Sequence, residues 1–301
     1  MNPSESLSRS AIVPRRIAFE FPDDIAPHWI PGEAELSQMI NGASLVMPYL
    51  EPFLIRTIRQ ALPQLSDPGL IADAQAFMAQ EGQHFRAHRR FNEVLKSKGY
   101  PELAQIEDAM TAAYARLDRL PLSRKLAYAA GFESMTIGLT QWLVGQRHRL
   151  FAGADSRIAS FVLWHMVEET EHKTVAFDVY QAVQGGYWLR VLGVLHGSLD
   201  VMRFSRRAYH QLLRTDGLWN NLRSRLRLAW QLGRFLAHTT PSLLAAMVPG
   251  HNPRQVRDQP WTVEWLRRSI ALGDAAPVPL IDTNDPAMPV PFPMVEPSRV
   301  S

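Results

Sequence analysis

The sequence predicts an all-α protein built on a four-helix bundle, with additional C-terminal helices and an extended proline-rich tail. Three observations predict it. From about residue 32 to residue 250, apolar residues recur at steps of three and four, which is one face of a helix. The same stretch contains few alternating β-branched runs, which are typical of strands. Prolines, which break helices, concentrate at the two ends of the chain.

Three segments follow from this pattern. Residues 1–33 are predicted to be an irregular N-terminal arm, because Pro14, Pro22, Pro27 and Pro31 interrupt regular structure. Residues 34–250 form the helical domain with its C-terminal helical extension. Residues 251–301 contain nine prolines and are predicted to be a tail, extended except for a short helix near 261–272.

Seven helical stretches are predicted within the domain. Asp67 is suited to cap one of them and Pro68 to begin it, and Asp155 or Ser156 is suited to cap another. Residues 101–119 supply the long crossover that this kind of bundle needs. The approximate ranges are 47–62, 68–96, 101–119, 123–150, 156–179, 186–214 and 218–248.

Composition excludes several classes of function. The chain has no cysteine, which rules out disulfides, iron–sulfur clusters and thiolate catalysis. A net charge of +3 over 301 residues does not indicate a nucleic-acid-binding protein. The N-terminus lacks a signal-peptide layout and no apolar run reaches about 18 residues, so a cytoplasmic protein is expected.

The predicted inward faces of the helices carry ionisable groups. In 68–96, Glu81, His84 and His88 continue an apolar stripe that includes Phe77 and Phe91. An unpaired buried carboxylate costs several kcal/mol or becomes protonated. Since the helices of 123–150 and 156–179 show the same feature, bound cations are the simplest compensation.

Spacing makes the prediction specific. Glu81-Gly-Gln-His84 and Glu169-Thr-Glu-His172 are both Glu-x-x-His, which brings two ligands to one side of a helix. One glutamate precedes each motif on another helix, as in the di-metal carboxylate proteins with a ferritin-like bundle. The sequence therefore predicts two metal ions, with iron favoured over manganese or zinc. The predicted ligands are Glu51, Glu81, His84, Glu133, Glu169 and His172.

Several alternatives remain open at this stage. Taken singly, each of these residues is more often a hydrogen-bonded core group than a metal ligand. Glu35 is the alternative to Glu51. Glu168 and Glu171 are interpreted as flanking surface groups or as supports behind a ligand, and Glu168 replaces Glu169 if the helix phase shifts by one residue. His88 and His165 are further ligands, hydrogen-bond donors to a ligand carboxylate, or core histidines.

Two segments carry a resemblance to a known family. Gln80-Glu81-Gly-Gln-His84 and the run from His165 to Lys173 resemble a bacterial family described as predicted metal-dependent hydrolases. The resemblance covers roughly residues 32–240 and implies a motif layout similar to ferritin-like di-iron proteins. Leu50-Glu51 departs from it, because the family tends to have a Gly-Glu pair there.

Such a centre is compatible with more than one activity. Paired Glu-x-x-His on bundle helices favours an O2-activating oxidase or oxygenase acting on a small or lipid-like substrate. Because no Rossmann glycine fingerprint is evident, electrons would come from an external reductase or from the substrate. The alternatives are a metal-dependent hydrolase that uses a metal-bound hydroxide, and ferritin-like handling of iron or oxidant.

The C-terminal helices are basic and amphipathic. Between Arg203 and Arg234 there are eight arginines and one acid, Asp216, interleaved with apolar residues such as Trp230. Such helices either pack on the body with their arginines in solvent or contact an anionic membrane. Packing on the body is the favoured interpretation, peripheral membrane association the alternative, and a homodimer is compatible with both.

Overall fold

The computed structural model describes residues 12–15, 19–272 and 278–292, and within them the chain forms helices and no strand. The all-α prediction is confirmed. The α-helices of the described residues are α1 Ala34–Ser44, α2 Met47–Ala61, α3 Pro68–Ser97, α4 Leu103–Leu117, α5 Leu122–Gly145, α6 Arg147–Leu150, α7 Ser156–His172, α8 Val175–Val183, α9 Tyr187–Thr215, α10 Leu222–Met247 and α11 Pro260–Leu272.

Local capping explains where the two ligand-rich helices begin. The Asp67 side chain accepts a hydrogen bond from the Gly69 backbone N–H at 2.8 Å, and Pro68 occupies the first turn of α3. The Asp155 side chain accepts from the Arg157 N–H at 3.0 Å and caps α7. Both starts agree with the predicted ones, because capping depends on neighbouring residues only.

Two predicted helices are interrupted. The stretch 123–150 ends as α5 at Gly145, where Gln146 leaves helical geometry (φ −108°, ψ 13°), and resumes as the short α6. The stretch 156–179 breaks after His172 into α7 and α8. At this break Lys173 donates to the Val256 carbonyl at 2.8 Å and pairs with Asp258. The break is thus tied to a segment far away in sequence.

Helix α5 lies at the centre of the molecule. It packs against α2, α7, α8, α9 and α10, and most of its residues are buried. The crossing with α9 is close because glycines meet there: a Cβ at Gly193 would clash with the Ala127 backbone, and one at Gly131 with Gly193. Glu133 is therefore buried between neighbouring helices.

The arm and the tail contribute to the core around α7. Phe19, Ile25 and Trp29 pack in it together with Ile281 and Val290 of the tail. The tail also pairs with the body through its backbone, since the Ile281 N–H donates to Ser160 Oγ at 2.8 Å. The remainder of the predicted arm and tail (residues 1–11, 16–18, 273–277 and 293–301) lies outside the described residues, and the boundaries at 34 and 250 stay predictions.

Candidate metal centre

The six predicted ligands meet between α2, α3, α5 and α7. Each has at most 2% of its surface exposed. Four helices contribute them: α2 gives Glu51, α3 gives Glu81 and His84, α5 gives Glu133, and α7 gives Glu169 and His172. Their charges are therefore buried together, as the helical phases predicted.

Their ligand atoms form overlapping groups. Glu81, Glu133, Glu169 and His172 each offer one oxygen or nitrogen, and these four atoms lie within 4.8 Å of one another. His84 belongs to two further groups with the same spacing, one with His165 and Glu169 and one with Glu51 and Glu81. The donors are thus arranged around two adjacent positions that share Glu81 and Glu169.

Glu169 is oriented to connect the two positions. Its Oε1 lies 3.8 Å from His84 Nδ1, and its Oε2 lies 3.4 Å from His172 Nε2. Glu81 Oε1 is likewise shared, at 3.9 Å from His84 Nδ1 and 3.3 Å from His172 Nε2. Glu169 therefore presents one oxygen to each of the two histidines, whereas Glu81 presents the same oxygen to both.

Eight oxygen and nitrogen atoms of the six predicted ligands lack hydrogen-bond partners among the described residues. Buried polar atoms are nearly always paired, because leaving one unpaired costs about 1–3 kcal/mol. An accumulation at one point is therefore exceptional, and ligation of cations explains it. The unpartnered atoms are both carboxylate oxygens of Glu51 and of Glu81, Glu133 Oε1, Glu169 Oε2, His84 Nδ1 and His172 Nε2.

Burial dominates the electrostatics of the cluster. It raises the pKa of Glu51, Glu81 and Glu133 well above the usual range, and the charge of Glu169 raises each further. For Glu169, burial acts in the same direction, but the charges and hydrogen bonds of His172 and His165 outweigh it and lower the pKa. Ionising all four carboxyls together is therefore unfavourable without compensating cations.

His84 and His172 each make a hydrogen bond through the ring nitrogen that faces away from the centre, which leaves the other ring nitrogen free. His84 Nε2 lies 3.0 Å from Glu168 Oε2, and His172 Nδ1 lies 2.9 Å from Gln80 Oε1. With both oxygens as acceptors, a singly protonated ring donates from its outer nitrogen and turns a lone pair toward the centre. Such outer hydrogen bonds orient metal-binding histidines. Glu168 therefore lies behind His84, outside the groups described above.

Arg15 connects Glu168 and Gln80, the hydrogen-bond partners of His84 and His172, through Glu171. Its guanidinium donates to Glu168 Oε1 at 3.2 Å and to both oxygens of Glu171, at 2.7 and 2.9 Å. Glu171 Oε2 in turn accepts from Gln80 Nε2 at 2.6 Å. Burial raises the pKa of Glu168 to about 7, although Arg15 opposes the shift. Sequence reasoning missed Arg15 and Gln80. Gln80 could have been found because it adjoins Glu81, whereas Arg15 gives no local signal.

His88 and His165 form a second chain of contacts. His88 Nε2 lies 2.8 Å from His165 Nδ1, and His88 Nδ1 lies 2.8 Å from Ser44 Oγ. His165 Nε2 approaches Glu169 Oε1 at 2.9 Å. His88 and His165 also form a candidate ligand group with Glu51, because one ligand atom from each of the three lies within 4.8 Å of the others. Glu35, the alternative to Glu51, is buried on α1 and belongs to none of these groups.

An apolar cavity of about 330 Å³ reaches the centre. His88, His165 and Glu169 line its inner end. Most other lining residues are apolar; they include Met135 and Leu139 of α5, Phe161 of α7, and Phe235 of α10. Its exposed lining residues, Arg206 and Leu236, belong to α9 and α10, so the cavity opens between these helices.

Comparison with known proteins gave one match. The sequence model of a protein family described as "Predicted metal-dependent hydrolase" matches residues 13–257. No curated protein and no solved structure matched significantly. The matched range includes all six predicted ligands and also Arg15 and Gln80.

Proposed function

The chain belongs to the family of predicted metal-dependent hydrolases, and on that premise we propose that it hydrolyses an apolar substrate with two metal ions bound at the Glu/His cluster. The observation that carries the proposal is the set of unpartnered, buried carboxylate and imidazole atoms around two adjacent positions. Oxygen and imidazole donors suit iron, manganese and zinc. The proposal includes both the choice among these ions and the number of two ions per chain.

Metals bound here would polarise the substrate and lower the pKa of a coordinated water. The chain's own residues hold the donors in place. Glu81 and Glu169 face both positions, while Glu168 and Gln80 fix the rings of His84 and His172. Because the donors are fixed before the ions bind, little reorganisation accompanies catalysis.

The cavity supports the apolar character of the substrate. At about 330 Å³ it falls within the size range of small-molecule sites. Thr136 and His165 are among the few polar residues near its inner end, and Arg206 is the charged residue at its mouth. A lipid-like ester whose apolar part fills the cavity would bring its ester bond to Glu169, away from bulk water.

A second candidate is O2-dependent oxidation of the same kind of substrate by a di-iron centre. The donor set favours it, since four glutamates with two Glu-x-x-His motifs are the ligands of di-iron carboxylate proteins with a ferritin-like bundle. Both candidates use the same ligands and the same cavity, and they differ in the metal and in the co-substrate.

Metal analysis of protein purified without added metal is the first test, and two ions per chain are expected. The apoprotein is then reloaded under anaerobic conditions with Zn(II), Mn(II) or Fe(II) and assayed on aryl esters with acyl chains of increasing length. Hydrolysis without O2 is expected, and the Glu81→Ala, Glu169→Ala double variant should lose both metal and activity.

The outcomes separate the candidates. If Fe(II)-loaded protein consumes O2 with a transient visible absorption and cleaves no ester with any metal, the oxidative candidate replaces the hydrolase. If iron accumulates well beyond two ions per chain, metal handling replaces both. A protein that binds no metal, with the double variant unchanged, would overturn the proposal altogether.

A further inference from the structure

The outer surfaces of α9 and α10 expose large apolar residues. Trp188 and Trp230 are 75% and 68% exposed. We use the term α9–α10 face for the exposed apolar residues of these two helices. They are Trp188, Leu192, Leu195 and Leu199 on α9, and Leu222, Leu226, Trp230, Leu236 and Leu244 on α10.

The two stripes lie on the outer side of a helical hairpin. The α9 members follow steps of three and four, and the α10 members fall within about a third of the helix circumference. Gly193 and Thr239, by which the two helices pack on α5, lie on other sides of these helices. The helices run antiparallel, since Tyr187 Oη donates to the Met247 carbonyl at 2.8 Å. Nine exposed large apolar side chains on one helical hairpin indicate an interaction site.

The charged residues of this hairpin are predominantly positive. Residues 187–248 contain nine arginines and two acids, Asp200 and Asp216. Both acids are engaged within the protein: Asp200 accepts from Tyr128 Oη at 3.3 Å, and Asp216 accepts from Tyr100 Oη at 2.6 Å. The exposed arginines, among them Arg223, are therefore available to an anionic partner.

We propose that the α9–α10 face binds the surface of a membrane that contains anionic lipids. Its tryptophans and leucines enter the region between headgroups and acyl chains, and the arginines pair with lipid phosphates. No helix among the described residues is long and apolar enough to cross a bilayer. The contact is therefore one of helices lying along the surface.

The position of the cavity supports a membrane as the partner of the α9–α10 face. Arg206 and Leu236, the exposed residues of its lining, lie on the two helices of the face. A bilayer against the face would cover the mouth of the cavity, and an apolar molecule could pass into it without crossing water. A second copy of the chain would instead bring two arginine-rich surfaces together, which like-charge repulsion disfavours.

Vesicle flotation of the full-length protein tests the proposal without any activity assay. Binding is expected to vesicles of phosphatidylcholine mixed with phosphatidylglycerol, to be weaker to phosphatidylcholine alone, and to fall with added salt. The Trp188→Ser, Trp230→Ser variant should bind about tenfold more weakly or worse, because it removes the two largest inserting side chains. Both tryptophans are exposed, so the fold should be unaffected.

Matched variants make the result specific. Ile270→Ser with Leu280→Ser removes exposed apolar residues outside the face and should leave binding unchanged. Arg223→Glu should weaken binding to anionic vesicles, whereas Arg119→Glu, an exposed arginine on another part of the surface, should not. The proposal is overturned if wild-type protein fails to float with anionic vesicles. It is also overturned if the protein dimerises in sedimentation velocity and the double tryptophan variant abolishes only that dimer.

Discussion

His88 Nε2 and His165 Nδ1 lie 2.8 Å apart, and their surroundings determine the position of the shared proton. Asn92 Nδ2 donates to the Ser44 carbonyl at 3.0 Å, so Asn92 Oδ1 accepts the Ser44 hydroxyl proton at 2.8 Å. Ser44 Oγ must then accept from His88 Nδ1–H. Burial lowers the pKa of His88, which keeps the ring neutral and leaves its Nε2 an acceptor for His165 Nδ1–H.

When His165 carries a single proton, this chain places that proton on Nδ1 and leaves a lone pair on Nε2. That nitrogen lies 2.9 Å from Glu169 Oε1, where two acceptors would repel each other unless a cation lies close to both. We therefore propose His165 as a further ligand and His88 as its support, although His88 also lies in a candidate ligand group with Glu51 and His165. The sequence could not distinguish these roles, because both rings follow the same stripe and the deciding contacts come from Ser44 on α1.

The first prediction concerns this support. His88→Phe removes the acceptor for His165 Nδ1–H and should weaken metal binding about 10- to 100-fold, as is usual when the hydrogen-bond partner of a metal-binding histidine is lost. Competition with a chromophoric chelator measures the affinity. His148→Phe, at an exposed histidine, is the control and should have no effect. Unchanged affinity in His88→Phe would exclude the supporting role.

The second prediction concerns Arg15. Arg15→Met leaves Glu168 and Glu171 without their buried cation and should reduce the free energy of unfolding by about 3–5 kcal/mol, the cost of breaking a buried ion pair. Urea denaturation measures it. Adding Glu168→Gln and Glu171→Gln should restore much of the loss, because the unpaired charges are removed. If the triple variant is no more stable than Arg15→Met, unpaired charge is not the cause.

How much the sequence could predict depends on the range of the interactions involved. The starts of α3 and α7 follow from caps within three residues, and the phase of each helix brings Glu81 and His84, or Glu169 and His172, to one side. Glu168 and Glu169 differ by about 100° around α7, so the same phase separates the residue facing the centre from the one facing Arg15.

Apart from Gln80, the features that sequence reasoning missed depend on partners that are distant in sequence. Arg15 lies 153 positions from Glu168 in sequence, and no local pattern connects them. The break after His172 coincides with contacts between Lys173 and residues 256–258. The cavity is lined by residues of α1, α2, α3, α5, α7, α9 and α10, whose mutual packing no helical periodicity describes.

The third prediction concerns how much the metal-free cluster reduces the free energy of unfolding. Glu133→Leu replaces a buried carboxyl, one oxygen of which has no partner, by an apolar side chain of similar size. In the presence of chelator, this variant should be more stable than wild type by about 1–3 kcal/mol, yet gain less stability when metal is added. Thermal unfolding with and without metal measures both effects. Glu102→Leu, at an exposed glutamate, should change neither. A destabilised Glu133→Leu variant in chelator would mean that the cluster stabilises the fold by itself.

The fourth prediction is proton release on metal binding. Burial raises the pKa of Glu51, Glu81 and Glu133, so these carboxyls retain protons at a pH where exposed glutamates are ionised. Metal ligation requires the ionised form. Binding near neutral pH should therefore release more than one proton per chain, and affinity should fall as the pH is lowered. Calorimetric titration in buffers of different ionisation enthalpy counts the protons. Release of none would show that the carboxyls are already ionised.

The last prediction concerns the cavity. Leu139 lies on the cavity wall, and Leu139→Trp should fill part of the space without touching the cluster. Metal content should stay that of wild type, while activity on long-chain esters falls about tenfold or more and activity on acetate esters is retained, since each buried methylene contributes about 0.8 kcal/mol to binding. The comparison of kcat/KM against chain length measures this shift. Ile270→Trp, at an exposed apolar residue on α11, controls for the added ring. Equal losses for short and long esters would show that the substrate reaches the centre by another route.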